Sequence, residues 1–239
     1  MNQQDIIRFY NNFFAKKQKA GLSERNYHLY RKMKALGLQS SSRVLELGCG
    51  IGILTFLLTR TIKKGIIEAV DISPESIHYL KSKIKAKNLT CYDADIVEIK
   101  PHNTNFDFIT LFDVIEHIPV ERHDKLFNTI GGLMGEHSLL LINIPNPYYL
   151  EYDMKYHPQR LQIIDQPIHF DQLSAILKKN KLTLRHFETY SVWVRDDYQF
   201  MIVAREKEFK EIPVSHERNI FQKIFHRIKW KWLEMIYPY

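Results

Sequence analysis

Val44-Leu45-Glu46-Leu47-Gly48-Cys49-Gly50-Ile51-Gly52 decides how this chain is read. Val44 to Leu47 is a mostly apolar run. Three glycines follow at alternate positions, and Ile53-Leu54-Thr55-Phe56-Leu57-Leu58 follows them at once. The pattern predicts a buried strand, a tight turn and a helix. Glycines let the turn take positive φ and let a ligand lie against bare backbone. The helix after the turn aims its unpaired N–H groups at whatever occupies it. The stretch therefore predicts a nucleotide-type ligand at a strand–turn–helix corner.

The spacing narrows the ligand. A pyrophosphate-binding fingerprint reads G-x-G-x-x-G. Here the glycines read G-x-G-x-G, and Glu46 stands two residues before the first of them. A carboxylate at that place repels a pyrophosphate and suits a ligand with a cationic end.

Working outward, Ile66 to Val70 reads as a second strand ending at Asp71. An acid there, about 20 residues after the glycines, can accept from both ribose hydroxyls of a nucleoside. Ser73-Pro74-Glu75 opens a helix expected to run to about Lys87. A third strand lies near Leu89 to Tyr92, followed by Asp93-Ala94-Asp95-Ile96. A fourth, Phe106 to Leu111, leads into Phe112-Asp113-Val114-Ile115-Glu116-His117-Ile118-Pro119. A helix over about 120–134 precedes a fifth strand, Leu139 to Ile144, which ends in Pro145-Asn146-Pro147.

Taken in this order, "VLELGCGIG", Asp71, Asp95-Ile96 and "FDFITLFDVIEHIP" resemble the motifs of the class I S-adenosylmethionine (SAM) methyltransferases. The resemblance covers about Arg43 to Arg205. It implies an α/β Rossmann-like fold with a seven-stranded sheet of order 3-2-1-4-5-7-6, the last strand antiparallel, and helices on both faces. It implies that Glu46, Gly48, Cys49, Gly50 and Gly52 hold the amino-acid end of SAM. Asp71 and Ile72 would sit by the ribose, and Asp95 and Ile96 by the adenine, with Asp93 a competing choice. Leu111 would lie at the cofactor edge of the fourth strand.

The 239 residues divide into an N-terminal helical cap (1–40), a SAM-binding domain (41–205) with a lid or insertion at 148–170, and a basic extension (206–239). In the cap, Ile6, Phe9, Tyr10, Phe13 and Phe14 recur at helical spacing, as do Tyr27, Tyr30, Met33 and Leu36. Lys16, Lys17 and Lys19 connect the two sets, and Gly37 reads as a C-cap. The resemblance suggests that this cap lies over the cofactor mouth. From Tyr148 to Gln166 periodicity is lost. A short amphipathic helix at 171–180 and an antiparallel pair, Leu182 to Tyr190 and Tyr198 to Arg205, complete the domain. In the extension, residues 217–236 form a candidate helix. Ile220, Phe221, Ile224, Phe225, Ile228, Trp232 and Met235 make its apolar stripe, flanked by Lys223, Arg227, Lys229 and Lys231. Such a helix can lie in a membrane interface, pack on the domain or pair with a second copy.

Composition bounds the partners. An apolar fraction of 45% is that of a globular chain. No apolar run is long enough to cross a bilayer and no N-terminal h-region is present. Two cysteines, Cys49 and Cys91, form no disulfide framework, which fits a reducing cytoplasm, with peripheral membrane contact through 217–236 as an addition. The formal charge of +7 permits an anionic partner without requiring one. Basic residues are scattered and no stacking platform of interleaved aromatics is evident, so DNA is not expected and RNA is not favoured.

Asp113, Glu116 and His117 are the candidate catalytic groups. His117 is the natural general base, since imidazole titrates near neutrality. The same three, at i, i+3 and i+4, share one face if their turn is helical. With His169 they resemble the divalent-cation ligands of ubiquinone-pathway and small-RNA O-methyltransferases, and Mg, Mn or Zn would suit the donors. Asp113 departs from that motif, where a Glu stands. The expected function is SAM-dependent O-methylation of a small molecule, free or lipid-linked. RNA 2′-O-methylation with a metal and a non-catalytic SAM-binding scaffold are the alternatives.

Overall fold

The computed structural model describes residues 4, 5, 7–11, 21–209, 211, 213 and 218–238. Ile6, Phe13, Phe14, Lys16, Lys17, Lys19 and Glu217, singled out above, lie outside them. Contacts divide the chain into two units, Met1–Glu206 and Lys207–Tyr239.

The first unit is a seven-stranded sheet of order β3-β2-β1-β4-β5-β7-β6. Its strands are β1 (Arg43–Leu47), β2 (Ile66–Asp71), β3 (Leu89–Asp93), β4 (Phe106–Phe112), β5 (Met134–Pro145), β6 (Leu182–Tyr190) and β7 (Tyr198–Arg205). β1 to β5 pair in parallel, and β7 runs antiparallel to both its neighbours. The expected order and the antiparallel pair are thus observed.

Helices cover both faces. On one, α1 (Glu24–Ala35) and α2 (Ile53–Thr61) bury Leu29, Met33, Leu54 and Leu58 with Val44, Ile67 and Phe108 of the sheet. Ser23 caps α1. Beyond its end, Leu38 N–H bonds to the Met33 carbonyl and Gly37 adopts φ +100°, closing the C-terminus as expected for that glycine. On the other face, α4 (His123–Leu133) and α6 (Phe170–Lys179) bury Leu126, Phe127, Ile130, Leu173 and Leu177 against β4 and β5. α3 (Pro74–Lys83) starts at the Ser73 cap and stops before the expected Lys87, because Ile84 is already extended.

Two readings need correction. Residues 148–166 are not aperiodic throughout: α5 (Pro147–Tyr156) occupies the first part, with Asn146 as its N-cap and Pro147 in its first turn. The helix expected from about Val120 begins as a single 3₁₀ turn, Val120–Arg122, before α4. The strand order reverses between β1 and β4. That is where an open α/β sheet leaves a crevice at the C-terminal ends of its strands.

Candidate active site

The crevice is a cavity of about 400 Å³. Its inner end is the glycine corner. Gly48, Gly50 and Gly52 have φ of +76°, +52° and +85°. The turn is anchored by two N–H groups, of Gly48 and Cys49, donating to the Val70 carbonyl at 2.8 and 2.9 Å. A Cβ on Gly48 would sit 2.3 Å from Val114 Cγ2, so this position is closed to side chains by conformation and by space.

Three carboxyl groups face the corner. Glu46 is buried and accepts from Thr55 Oγ1 at 2.7 Å. Burial pushes its carboxyl up to about 8; the Thr55 bond opposes this and Asp71 adds to it. Asp71 accepts from Gly50 N–H at 2.7 Å and Ser73 N–H at 2.9 Å, one bond on each oxygen. Burial raises it and those two bonds hold it down. Each oxygen keeps a further lone pair for a ligand donor. Asp95 accepts from Val97 N–H at 3.0 Å and from Arg122 Nη2 at 2.7 Å. Ile72, Ile96 and Cys49 also line the cavity, and burial holds the Cys49 thiol well above its ordinary range. Asp93 is exposed, which leaves Asp95 as the acid of that strand end on the cavity wall. Leu111 is fully buried in the core, and Phe112 takes the place on the wall.

The outer end is assembled from distant segments. Asp113 has φ +57° and ends β4. Ile115–His117 is a 3₁₀ turn, so Asp113, Glu116 and His117 do not form the helical face anticipated. His123, which the sequence reading missed, fixes this turn: its buried Nε2 lies 3.0 and 2.8 Å from the Ile115 and Ile118 carbonyls. The segment after α5 closes over it, with Gln166 N–H bonded to the Glu116 carbonyl at 3.0 Å.

His117 Nδ1 lies 2.6 Å from the Ile164 carbonyl and 3.0 Å from Asp165 Oδ1; its Nε2 is 3.0 Å from the Gln162 amide and 3.7 Å from Glu116 Oε1. Burial opposes a charge on the ring, but Glu116 and Asp165 outweigh it and push the imidazole up to about 9. These contacts favour the protonated ring, which works against the base role expected of His117. Glu116 is 1% exposed, and neither carboxyl oxygen has a hydrogen-bond partner. Burial pushes it up to about 8, with His117 opposing and Asp113 reinforcing the rise.

Cations line this end too, each already opposite an acid. Arg25 of α1 pairs with Asp113 at 3.1 Å and donates to Tyr198 Oη at 2.6 Å. Arg160 pairs with Asp153 at 3.3 Å. Tyr10, from the helical stretch at residues 7–11, also lines the cavity, and Asn11 beside it meets Ser73 Oγ at 2.7 Å. The N-terminal cap thus does reach the cavity mouth.

The anticipated metal set is not brought together. His169 bonds Glu151 at 2.8 Å and is not among the residues lining the cavity; Asp113 is engaged by Arg25 and His117 by Asp165. Among the described residues no group of three or more His, Cys, Asp or Glu side chains is placed to hold a metal ion. The residues do not fit that cation.

Comparison with known proteins agrees with this architecture. A family model described as "Methyltransferase domain" matches residues 22–233. Trans-aconitate 2-methyltransferase of Mycobacterium tuberculosis is 43% identical over 124 residues, covering 52% of this chain and 45% of that protein. The mitochondrial ubiquinone biosynthesis O-methyltransferase of Candida albicans is 31% identical over 84 residues, 33% of this chain and 25% of that one. The matches therefore span less than half of either relative. Magnesium protoporphyrin IX methyltransferase from Synechocystis, solved with bound SAH, shares the fold at TM-score 0.67 and 15% identity, covering 85% of this chain and 99% of that one.

Proposed function

This chain belongs to the methyltransferase-domain family, and we propose that it methylates a hydroxyl oxygen of an uncharged small molecule with SAM as donor. The glycine corner suits that cofactor. Open space where Gly50 carries no Cβ admits a nucleoside, Asp71 keeps lone pairs for a ribose, and the buried Glu46 gains its charge most easily beside a cation. SAM, when bound, supplies a methyl group already activated on a sulfonium. The chain must then align the acceptor, exclude water and take the acceptor's proton.

The observation that carries the acceptor class is the state of Glu116. Among the described cavity residues, Arg25, Arg122, Arg160 and His117 each face a carboxylate of the chain itself. None is left over to clamp a second carboxylate, which needs its own cation. Glu116 is the carboxyl left without a hydrogen bond. An unsatisfied buried acceptor favours a ligand that donates, as a hydroxyl does. In this reading the hydroxyl proton passes to Glu116 in its ionised form as the oxygen attacks; with that carboxyl at about 8, the ionised share, and with it turnover, grows as pH rises toward 8. His117, held by Asp165 and Ile164, positions that carboxylate and supplies positive charge beside it. In this reading Glu116, rather than the His117 expected from sequence, is the base.

The similarity to a trans-aconitate methyltransferase favours a second reading, methyl transfer to a carboxylate. Release of S-adenosylhomocysteine separates the two. With SAM saturating, neutral phenols and alcohols should support turnover and di- and tricarboxylates should not. Turnover on the carboxylates alone would overturn the hydroxyl assignment.

A further inference from the structure

The second unit contains α7 (Ile220–Ile236), none of whose residues is fully buried. The helix begins three residues later than the stretch expected from sequence, where Asn219 and Gln222 form a reciprocal cap at 2.9 and 3.0 Å. Its N-terminus is therefore closed by its own residues.

At 3.6 residues per turn its side chains sort into two faces. Around one arc run Ile224, Met235, Ile228, Phe221, Trp232, Phe225 and Ile236. All are exposed, Phe221 by 83% and Met235 by 72%. Lys231 bounds this arc at one edge and Lys229 at the other, with Ile220 and Arg227 next beyond Lys231. Gln222, Leu233, His226, Trp230, Lys223 and Glu234 occupy the opposite face, where the charged and polar residues flank only two apolar ones. Single exposed apolar residues need no explanation, but a continuous arc does.

We propose that α7 is an interfacial helix that seats this chain on an anionic lipid surface. The arc is wide enough to sink to the headgroup–acyl boundary, while lysine and arginine stems at its edges extend along the apolar face with their charges at the phosphates. Spanning is ruled out for this helix, since no described helix is long and apolar enough to cross a membrane. Charge decides against a second copy as occupant. Pairing two arcs would bring the basic edges together, with Glu234 the one acid in each helix to offset them. Anionic headgroups complement those edges, each basic residue near such a surface adding to the attraction.

The test is flotation of the full chain with vesicles of phosphatidylcholine alone and of phosphatidylcholine mixed with phosphatidylglycerol. The chain should float with the mixed vesicles at low salt and be released at high salt. Phe225→Glu with Trp232→Glu should abolish flotation while SAM affinity is kept, which shows that the variant is folded. Lys229→Glu with Lys231→Glu should weaken it by at least roughly tenfold. Failure of the full chain to float with either vesicle overturns the proposal. So does equal flotation with both vesicles, indifferent to charge reversal. A dimer by sedimentation equilibrium that Phe225→Glu dissolves, with no vesicle binding, would assign the arc to a second copy instead.

Discussion

At the inner end of the cavity, one unbroken stretch, residues 44–52, supplies the glycines, Glu46 and the helix start, while Asp71 comes from the end of β2 and Asp95 from just past β3. At the outer end, Glu116 and His117 meet Arg25 from α1, Asp153 from α5, and Gln162 and Asp165 from the segment beyond it. The first end is local backbone geometry. The second is tertiary assembly, and its charges are mostly spent on one another. The difference teaches that binding and acceptor choice are separable here. Changes at the inner end should cost cofactor affinity, and changes at the outer end should cost turnover.

The largest effect expected is at Gly48. Gly48→Ala forces a side chain into positive φ and against Val114. SAM affinity should fall below detection by calorimetry, with a stability loss of at least about 1–2 kcal/mol by thermal unfolding. Wild-type affinity in this variant would remove the corner from the cofactor site. Asp71→Asn keeps the shape and removes the charge. It should weaken SAM roughly 30- to 100-fold, as loss of a charge-assisted bond does.

At the outer end, Glu116→Gln should lower kcat by roughly 10²–10³-fold and leave SAM affinity within about threefold. A matching loss of affinity would break the division between the ends. Smaller is the pH effect at Glu46. Its resting carboxyl lies near 8, and a cationic ligand favours the ionised form. Binding therefore releases a proton, so SAM affinity should rise with pH and level off above about 8. Glu46→Gln should remove that part of the slope and leave only the ligand's own ionisation; an unchanged slope would show that Glu46 does not face the cationic end. Because this folded-state value is raised, Glu46 also favours the unliganded fold below the ordinary carboxylate range, and that contribution is lost as pH rises through about 8. The smallest effect is at His169, which bonds Glu151 and does not line the cavity. His169→Ala should leave turnover unchanged within error, and chelators should do the same to the wild type.

These two ends also differ in how far they could be read in advance. The inner one was legible because its signal is short-range: alternate glycines after an apolar strand, and an acid at the next strand's end. β1, β2, β4, β6 and β7 were found within a residue or two for the same reason. β5 was found too short, since Met134 to Ser138 includes exposed polar positions that do not alternate cleanly. Helix α5 was missed because one of its few buried positions, Asp153, is an acid that reads as surface. At the outer end the residue types were identified, but their state was not. That His117 is held by Asp165, 48 positions later, and that Arg25 consumes Asp113 follow only from the folded chain. His169 was drawn into the set by resemblance to the later His of that motif, whereas its ring turns to Glu151.

The most direct measurement is a calorimetric titration of S-adenosylhomocysteine into the wild-type full chain and into Asp71→Asn and Glu116→Gln. The account predicts saturable one-to-one binding by the wild type, a marked loss in Asp71→Asn and near-wild-type binding in Glu116→Gln. No heat with folded wild-type protein, or equal loss in both variants, would contradict it.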